Sequence, residues 1–229
     1  EERYKFDYTH TMQNNEQIAT AGSERKLRDA EATRRKLVDA ALLAFSTQGF
    51  DGSSTRNIES QAGTKRGLIN YHFGSKKALW KAAAEHLMSI TERDLGAALA
   101  DMNKVDEDQQ LRFLIRSYVQ FCAKHPELNR LMIQEGMARD WRLSWLLKRA
   151  VRPWYEQVCR VFNRAAELGT APKMDAHHFY YVLTGAATLI FSNAAEAAAL
   201  SGEDPLAPKA VDAHANVVAD SLTLTRRPL

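Results

Sequence analysis

Between Thr64 and Trp80 the chain reads TKRGLINYHFGSKKALW. Two cations, Lys65 and Arg66, precede Gly67, and Asn70, Tyr71 and His72 follow before Gly74-Ser75 and Lys76-Lys77. These groups suit a polyanion that also carries hydrogen-bonding edges. A cation can bond guanine O6 and N7, and a carboxamide can bond adenine N6 and N7 as a pair. Phenol, imidazole and ammonium groups can hold phosphates, and Gly67 lets a backbone approach closely. Arg66 and Asn70 are four apart and share one face of a helix. Ile69 and Phe73, also four apart, form an inward face.

Such chemistry needs the stretch to be the second of two short helices joined by a tight turn, a helix-turn-helix over about 54–73. The sequence supplies the parts. In EATRRKLVDAALLAFSTQGF, Leu37, Ala40, Ala41, Ala44 and Phe45 recur at helical spacing. Gly49 is expected to end that helix as a left-handed cap. After DGSS, Ser54 or Thr55 can cap a bracing helix, TRNIESQA, with Ile58 and Ala62 inward and Gly63 closing it. Ser75 is placed to cap a long helix from Lys76 to about Met102.

Helical periods continue over roughly 107–124, 127–138, 141–168, 175–200 and 207–224, separated by Gly, Pro and polar breaks. No segment alternates with a period of two, so the expected fold is all-α. The expected organisation is a flexible leader over 1–22, a three-helix helix-turn-helix domain over 23–75, and a larger helical body over 76–229.

Charge is distributed unevenly. From Ser23 to His86 there are twelve Lys/Arg against seven acids, about +5, while the whole chain of 229 residues carries +3. A basic head on a near-neutral body points to a polyanion at one end. Cys122 and Cys159 lie far apart without metal-site spacing, which suits free thiols in a reducing cytoplasm. His177-His178 lacks a Cys or carboxylate pattern, so no metal site is expected. No run is long and apolar enough to span a bilayer. There is no Gly-rich phosphate loop, HExxH or GxSxG, so neither an enzyme nor a bound cofactor is expected.

The stretch TRNIESQAGTKRGLINYHFGSK, with ATRRKLVDAALLAFSTQGFDGSS before it, resembles the DNA-binding domain of the TetR family of transcriptional regulators over about residues 31–85. HPELNRLMIQEG (His125 to Gly136) also resembles a stretch in many of its members. The resemblance implies an all-helical homodimer with a three-helix head, a connecting helix and a ligand-sensing body, pairing through the last two long helices. By position, Thr55 and Arg56 would touch phosphate and base, and Arg66, Gly67 and Asn70 would read bases. Tyr71, His72 and Lys76 would hold phosphates. Three positions depart from the family pattern. Lys65 replaces a small polar cap, which leaves capping to Thr64. Leu68 replaces a common Ser or Thr, and Asn70 replaces a common aromatic.

The small residues around Gly185 to Ala199 allow close helix approach, and with VDAHANVVADSLTL they suit an intersubunit four-helix bundle. An apolar effector pocket could draw on Tyr118, Phe121, Met132, Met137, Trp141, Trp145, Trp154 and Phe179. The function implied is a repressor released from a palindromic operator in double-stranded DNA by a small, mostly apolar or aromatic effector. The rival is a helical carrier of hydrophobic ligands that does not read DNA.

Overall fold

The computed structural model describes residues 3–224, with side chains for residue 25 and residues 27–224. The leader expected over 1–22 lies outside the described side chains. The described residues form eleven α-helices and no strand.

Helix α1 (Arg3–Gly52) carries the apolar stripe of Leu37, Val38 and Ala41, all buried. Gly49 has φ 71 and ψ 172. It takes the positive φ expected of it, but its extended ψ belongs to a region essentially reserved for glycine, not to the left-handed helical cap. Helix α2 (Thr55–Gln61) starts at Ser54, whose Oγ accepts the Asn57 N–H at 3.1 Å. Helix α3 (Leu68–Phe73) lies between left-handed Gly67 and Gly74. Helix α4 (Lys76–Ala100) is capped by Ser75 Oγ, which accepts the Ala78 N–H at 3.1 Å.

The body continues with α5 (Gln110–Lys124), α6 (Pro126–Gly136) and α7 (Trp141–Leu146). A π-helical turn over Leu147–Val151 then leads into α8 (Arg152–Glu167). The single helix expected over 141–168 is therefore interrupted. Pro153 lacks an N–H and blocks regular helical bonding on its N-terminal side, and the widened turn lies there. Helix α9 (Ala176–Ser192) is followed by α10 (Ala194–Ser201) at a 76° bend, so the helix expected over 175–200 is also broken. The break falls at Asn193, with φ −108 and ψ 37. Helix α11 (Pro208–Leu222) ends the described body.

The chain forms two compact units. The first takes the chain up to Ala44 and Ser53–Ala83, with Leu37, Ile58, Ile69, Leu79 and Trp80 fully or almost fully buried. The second takes Phe45–Gly52 and everything from Ala84. Its core joins Leu114, Ile115 and Val119 of α5 with Phe162 of α8, Phe179 and Leu183 of α9, and Val218 of α11. Phe162 and Phe179 stack with ring centroids 4.2 Å apart. No single helix among the described residues is long and apolar enough to cross a membrane.

Candidate functional site

In the first unit, α3 buries Ile69 and turns Asn70 and Tyr71 outward, with Tyr71 79 % exposed. Gly67, Asn70 and Tyr71 share one side of this short helix through three- and four-residue spacing. Lys65 and Arg66 are exposed but do not occupy the first turn of the helix, as the sequence suggested. They sit in the turn before it, because helical geometry begins only after left-handed Gly67. Arg56 is exposed on α2, Thr55 and Lys76 are half-buried, and His72 lies edge-on to Tyr71 with rings 5.0 Å apart. Among the described residues, the side chains of Arg56, Lys65, Arg66 and Asn70 make no hydrogen bond or ion pair. Arg34 stands over the Phe73 ring at 5.1 Å.

Thr64 does not cap α3. Its N–H and its Oγ both donate to the Glu59 carbonyl, at 3.0 and 3.1 Å. The cap comes from Glu59 itself. Its side chain is only 5 % exposed, and its Oε1 accepts the Ile69 N–H at 2.9 Å. One residue of the bracing helix thus fixes both the turn and the start of the next helix. The only sequence signal was an acid beside Ile58 on an otherwise inward face.

The second unit holds a cavity of about 240 Å³ between α4, α6, α7, the π turn and α8. Met132 and Trp154 line it, as expected. Trp145 lines a neighbouring polar groove with Lys148 and Glu85. Tyr118, Phe121 and Phe179 lie in the core, where Tyr118 packs on Trp154 with ring centroids 4.9 Å apart. Burial pushes the Tyr118 hydroxyl well above its usual range and the Cys122 thiol up to about 12, so both stay neutral at physiological pH. Met137 is exposed, and Trp141 meets Phe50 edge-on at 6.0 Å. Sequence reasoning missed the α4 wall, which contributes Leu87, Leu95, Gly96 and Leu99. Nothing in its period separates a residue facing a cavity from one facing solid core.

An ionic cluster built on the buried pair Arg142 and Glu135 occupies the same unit, with exposed Asp51 and Asp140 at its edge. Arg142 Nε donates to Glu135 Oε2 at 2.8 Å, and its Nη atoms reach Asp51 at 3.5 Å and Asp140 at 3.3 Å. The guanidinium lies 4.7 Å from the centre of the Phe50 ring. Gln134 Nε2 donates to the Ser46 carbonyl at 3.3 Å. The Phe45–Gly52 end of α1 is therefore fastened to α6 and α7 by side chains. Neither Arg142 nor Glu135 carries a sequence signal of this pairing.

Comparison with known proteins decides the family. The bacterial regulatory proteins of the tetR family match over residues 37–83. The tetracyclin repressor-like C-terminal domain matches over residues 108–222, half of the chain. The chain belongs to the TetR family. This TetR-family chain is similar to the HTH-type transcriptional repressor NicS of Pseudomonas putida, 28% identical over 112 residues, 49% of this chain and 52% of that protein. It is also similar to the HTH-type transcriptional repressor SCO4008 of Streptomyces coelicolor, 32% identical over 110 residues, 48% of this chain and 53% of that one. These matches span about half the length of the curated relatives. Among solved structures, a TetR transcriptional regulator from Chloroflexus aurantiacus aligns with a TM-score of 0.61 at 17% identity, covering 86% of this chain and all of that one. HlyIIR, a hemolysin II transcriptional regulator, aligns with a TM-score of 0.58 at 17% identity over 86% and 99%. Both share the TetR fold with this chain.

Proposed function

We propose that this TetR-family chain is a sequence-specific DNA-binding transcriptional regulator. It acts as a homodimeric repressor in the cytoplasm and leaves a palindromic operator when a small apolar effector binds. The observation that carries the reading is the surface around α3. Exposed, unpaired Arg56, Lys65, Arg66 and Asn70 gather about a short helix whose other side is anchored by buried Ile69. Arg66 and Asn70 read bases. Thr55, Lys65, Tyr71, His72 and Lys76 hold the phosphates that set register, and Gly67 allows close approach.

Dimerisation uses α9 and α11. Tyr181, Val182 and Leu189 on α9 and Val217 on α11 are large apolar side chains left exposed. A Cβ at Gly185, between them, would meet nothing within 4 Å. A row of exposed apolar groups with a gap in its middle suits a second copy of the same surface. The dimer reads DNA when its two recognition helices stand about one turn apart, ~34–36 Å. An effector in the α4/α6/α8 cavity releases DNA by preferring a body conformation with another spacing, and the effect equals its differential affinity for the two states. Helix α4 is continuous from the first unit into the cavity wall, and Arg142 holds the end of α1, so both are routes for that coupling.

Footprinting on the intergenic DNA flanking its own gene, across a salt series and against random DNA, tests the reading. Protection of a palindrome at salt concentrations that abolish random binding is expected. Salt-sensitive binding without sequence preference would leave only phosphate neutralisation and contradict it.

A further inference from the structure

Ahead of the matched tetR domain, which begins at Leu37, α1 runs as helix through a stretch in which no described side chain is buried. Over residues 25–36 each is exposed or half-buried, and Leu27 is 64 % exposed. A helix without a buried face gains little from packing on its own chain, so this length of it calls for another reason. Charge supplies one. Arg25, Lys26, Arg28, Arg34, Arg35 and Lys36 stand against Asp29 and Glu31, so the stretch carries +4 of the head's roughly +5. At 3.6 residues per turn, Arg25, Arg28, Arg35 and Lys36 fall within about 100° of the helix circumference. They lie opposite buried Leu37, Val38 and Ala41. Asp29 borders that stripe and Glu31 lies outside it. Arg34 points the other way, and its guanidinium stands over the Phe73 ring at 5.1 Å. This part of α1 is therefore held beside the end of α3 that carries Tyr71 and His72.

We propose that residues 25–36 of α1 form a second DNA contact, in which Arg25, Arg28, Arg35 and Lys36 neutralise phosphates beyond those that α3 reaches. The inference rests on the proposed DNA-binding role of the head and adds a site to it. The stretch is about 16 Å long as a helix, and a duplex carries one charge per ~1.7 Å of its axis. The stripe therefore has phosphates to meet along its whole length. Arg35 and Lys36 pair with no acid among the described residues, so their charges are available. Phosphate contacts carry no sequence information, so this site sets affinity and salt dependence while Arg66 and Asn70 keep the reading of bases.

Titration of the full chain onto the operator and onto a scrambled duplex, across a salt series, tests this. One variant carries Arg25→Gln, Arg28→Gln, Arg35→Gln and Lys36→Gln together, since glutamine keeps helix propensity. Its plot of log affinity against log salt should be shallower than wild type by about 0.9 for each phosphate given up. The change should be alike on both duplexes, so the operator-to-scramble ratio should stand. Ethylation interference should reveal phosphates whose modification blocks wild type but not the variant. A control variant removes the same charge from exposed positions of the body, with Arg139→Gln, Arg152→Gln, Arg160→Gln and Lys173→Gln. It should keep the wild-type slope. A wild-type slope in the α1 variant, or an equally shallow slope in the control, overturns the inference. A wild type that binds both duplexes equally contradicts the base-reading account instead, and the slopes on either duplex still decide this one.

Discussion

The Glu59 carboxylate accepts the Ile69 N–H at 2.9 Å, so a buried acid on α2 closes the first turn of α3. A six-residue helix has little intrinsic stability, and this one has no side-chain cap of its own at Gly67. Its orientation depends on that bond and on the buried Ile69. Glu59→Ala removes an N-terminal cap worth about 1 kcal/mol and leaves the Thr64 bonds to the backbone carbonyl of residue 59 in place. Thermal melting should show the modest loss of stability, and operator binding should fall further than stability alone requires. Glu59→Gln keeps a carbonyl oxygen in place and should retain most of both. Equal operator affinity in wild type and Glu59→Ala would refute the positioning role.

Arg142 and Glu135 form an ion pair whose acid is only 2 % exposed. Breaking one side of a buried pair strands the other charge. Glu135→Ala should cost about 3 kcal/mol in urea denaturation. The paired replacement Glu135→Leu with Arg142→Met should recover most of that loss. A cost for Glu135→Ala within the range of an ordinary surface substitution would show that Asp51 and Asp140 hold the guanidinium without Glu135.

Asp94 accepts from Arg93 Nε at 2.7 Å, Lys124 Nζ at 2.8 Å and His125 Nε2 at 2.9 Å. These hydrogen bonds, Arg93's foremost, hold its carboxyl well below the usual carboxylate range. The folded state therefore resists protonating it. The stability it contributes is complete above the ordinary carboxylate range and drains away as pH falls through that range and below. Melting temperature against pH should fall less steeply on the acid side for Asp94→Asn than for wild type, starting from a lower value at neutral pH. Parallel acid limbs would contradict this.

Leu189 and Tyr181 lie on the exposed side of α9. An Asp at Leu189 would place a charge in the apolar surface proposed to meet a second copy. Sedimentation should show the wild type as a dimer and Leu189→Asp as a folded monomer, with operator affinity lost because both half-sites can no longer be held together. A dimer that survives this change would place the interface elsewhere.

The head was largely legible in the sequence because its signals are local. Ser54 and Ser75 cap the helices they precede, Gly63 and Gly74 take positive φ where the turns need it, and Ile58 and Ile69 are buried. Glu59 escaped notice because a buried capping acid looks like any surface acid until its partner ten residues later is in place. The body was less legible. Its helix periods were clear, but the bend at Asn193 depends on packing, and Pro153 marks only where regular helical bonding stops, not that the turn before it widens. Cavity walls and solid core also draw on the same residues, so Phe179 and Leu95 cannot be sorted by type. The Arg142–Glu135 pair joins groups seven apart across a helix break, and helical spacing gives no warning of it.

The central claim is that the α3 surface reads base sequence. The direct measurement is the ratio of affinities for the operator and for a scrambled duplex of equal length at one fixed salt concentration. It should be compared among wild type, Arg66→Ala, Asn70→Ala and Lys65→Ala. Each base-reading contact is worth about 1–3 kcal/mol of discrimination, so Arg66→Ala and Asn70→Ala should each shrink the ratio by roughly tenfold or more. Lys65→Ala should weaken both duplexes alike and leave the ratio standing. A ratio unchanged by Arg66→Ala and Asn70→Ala would contradict the account.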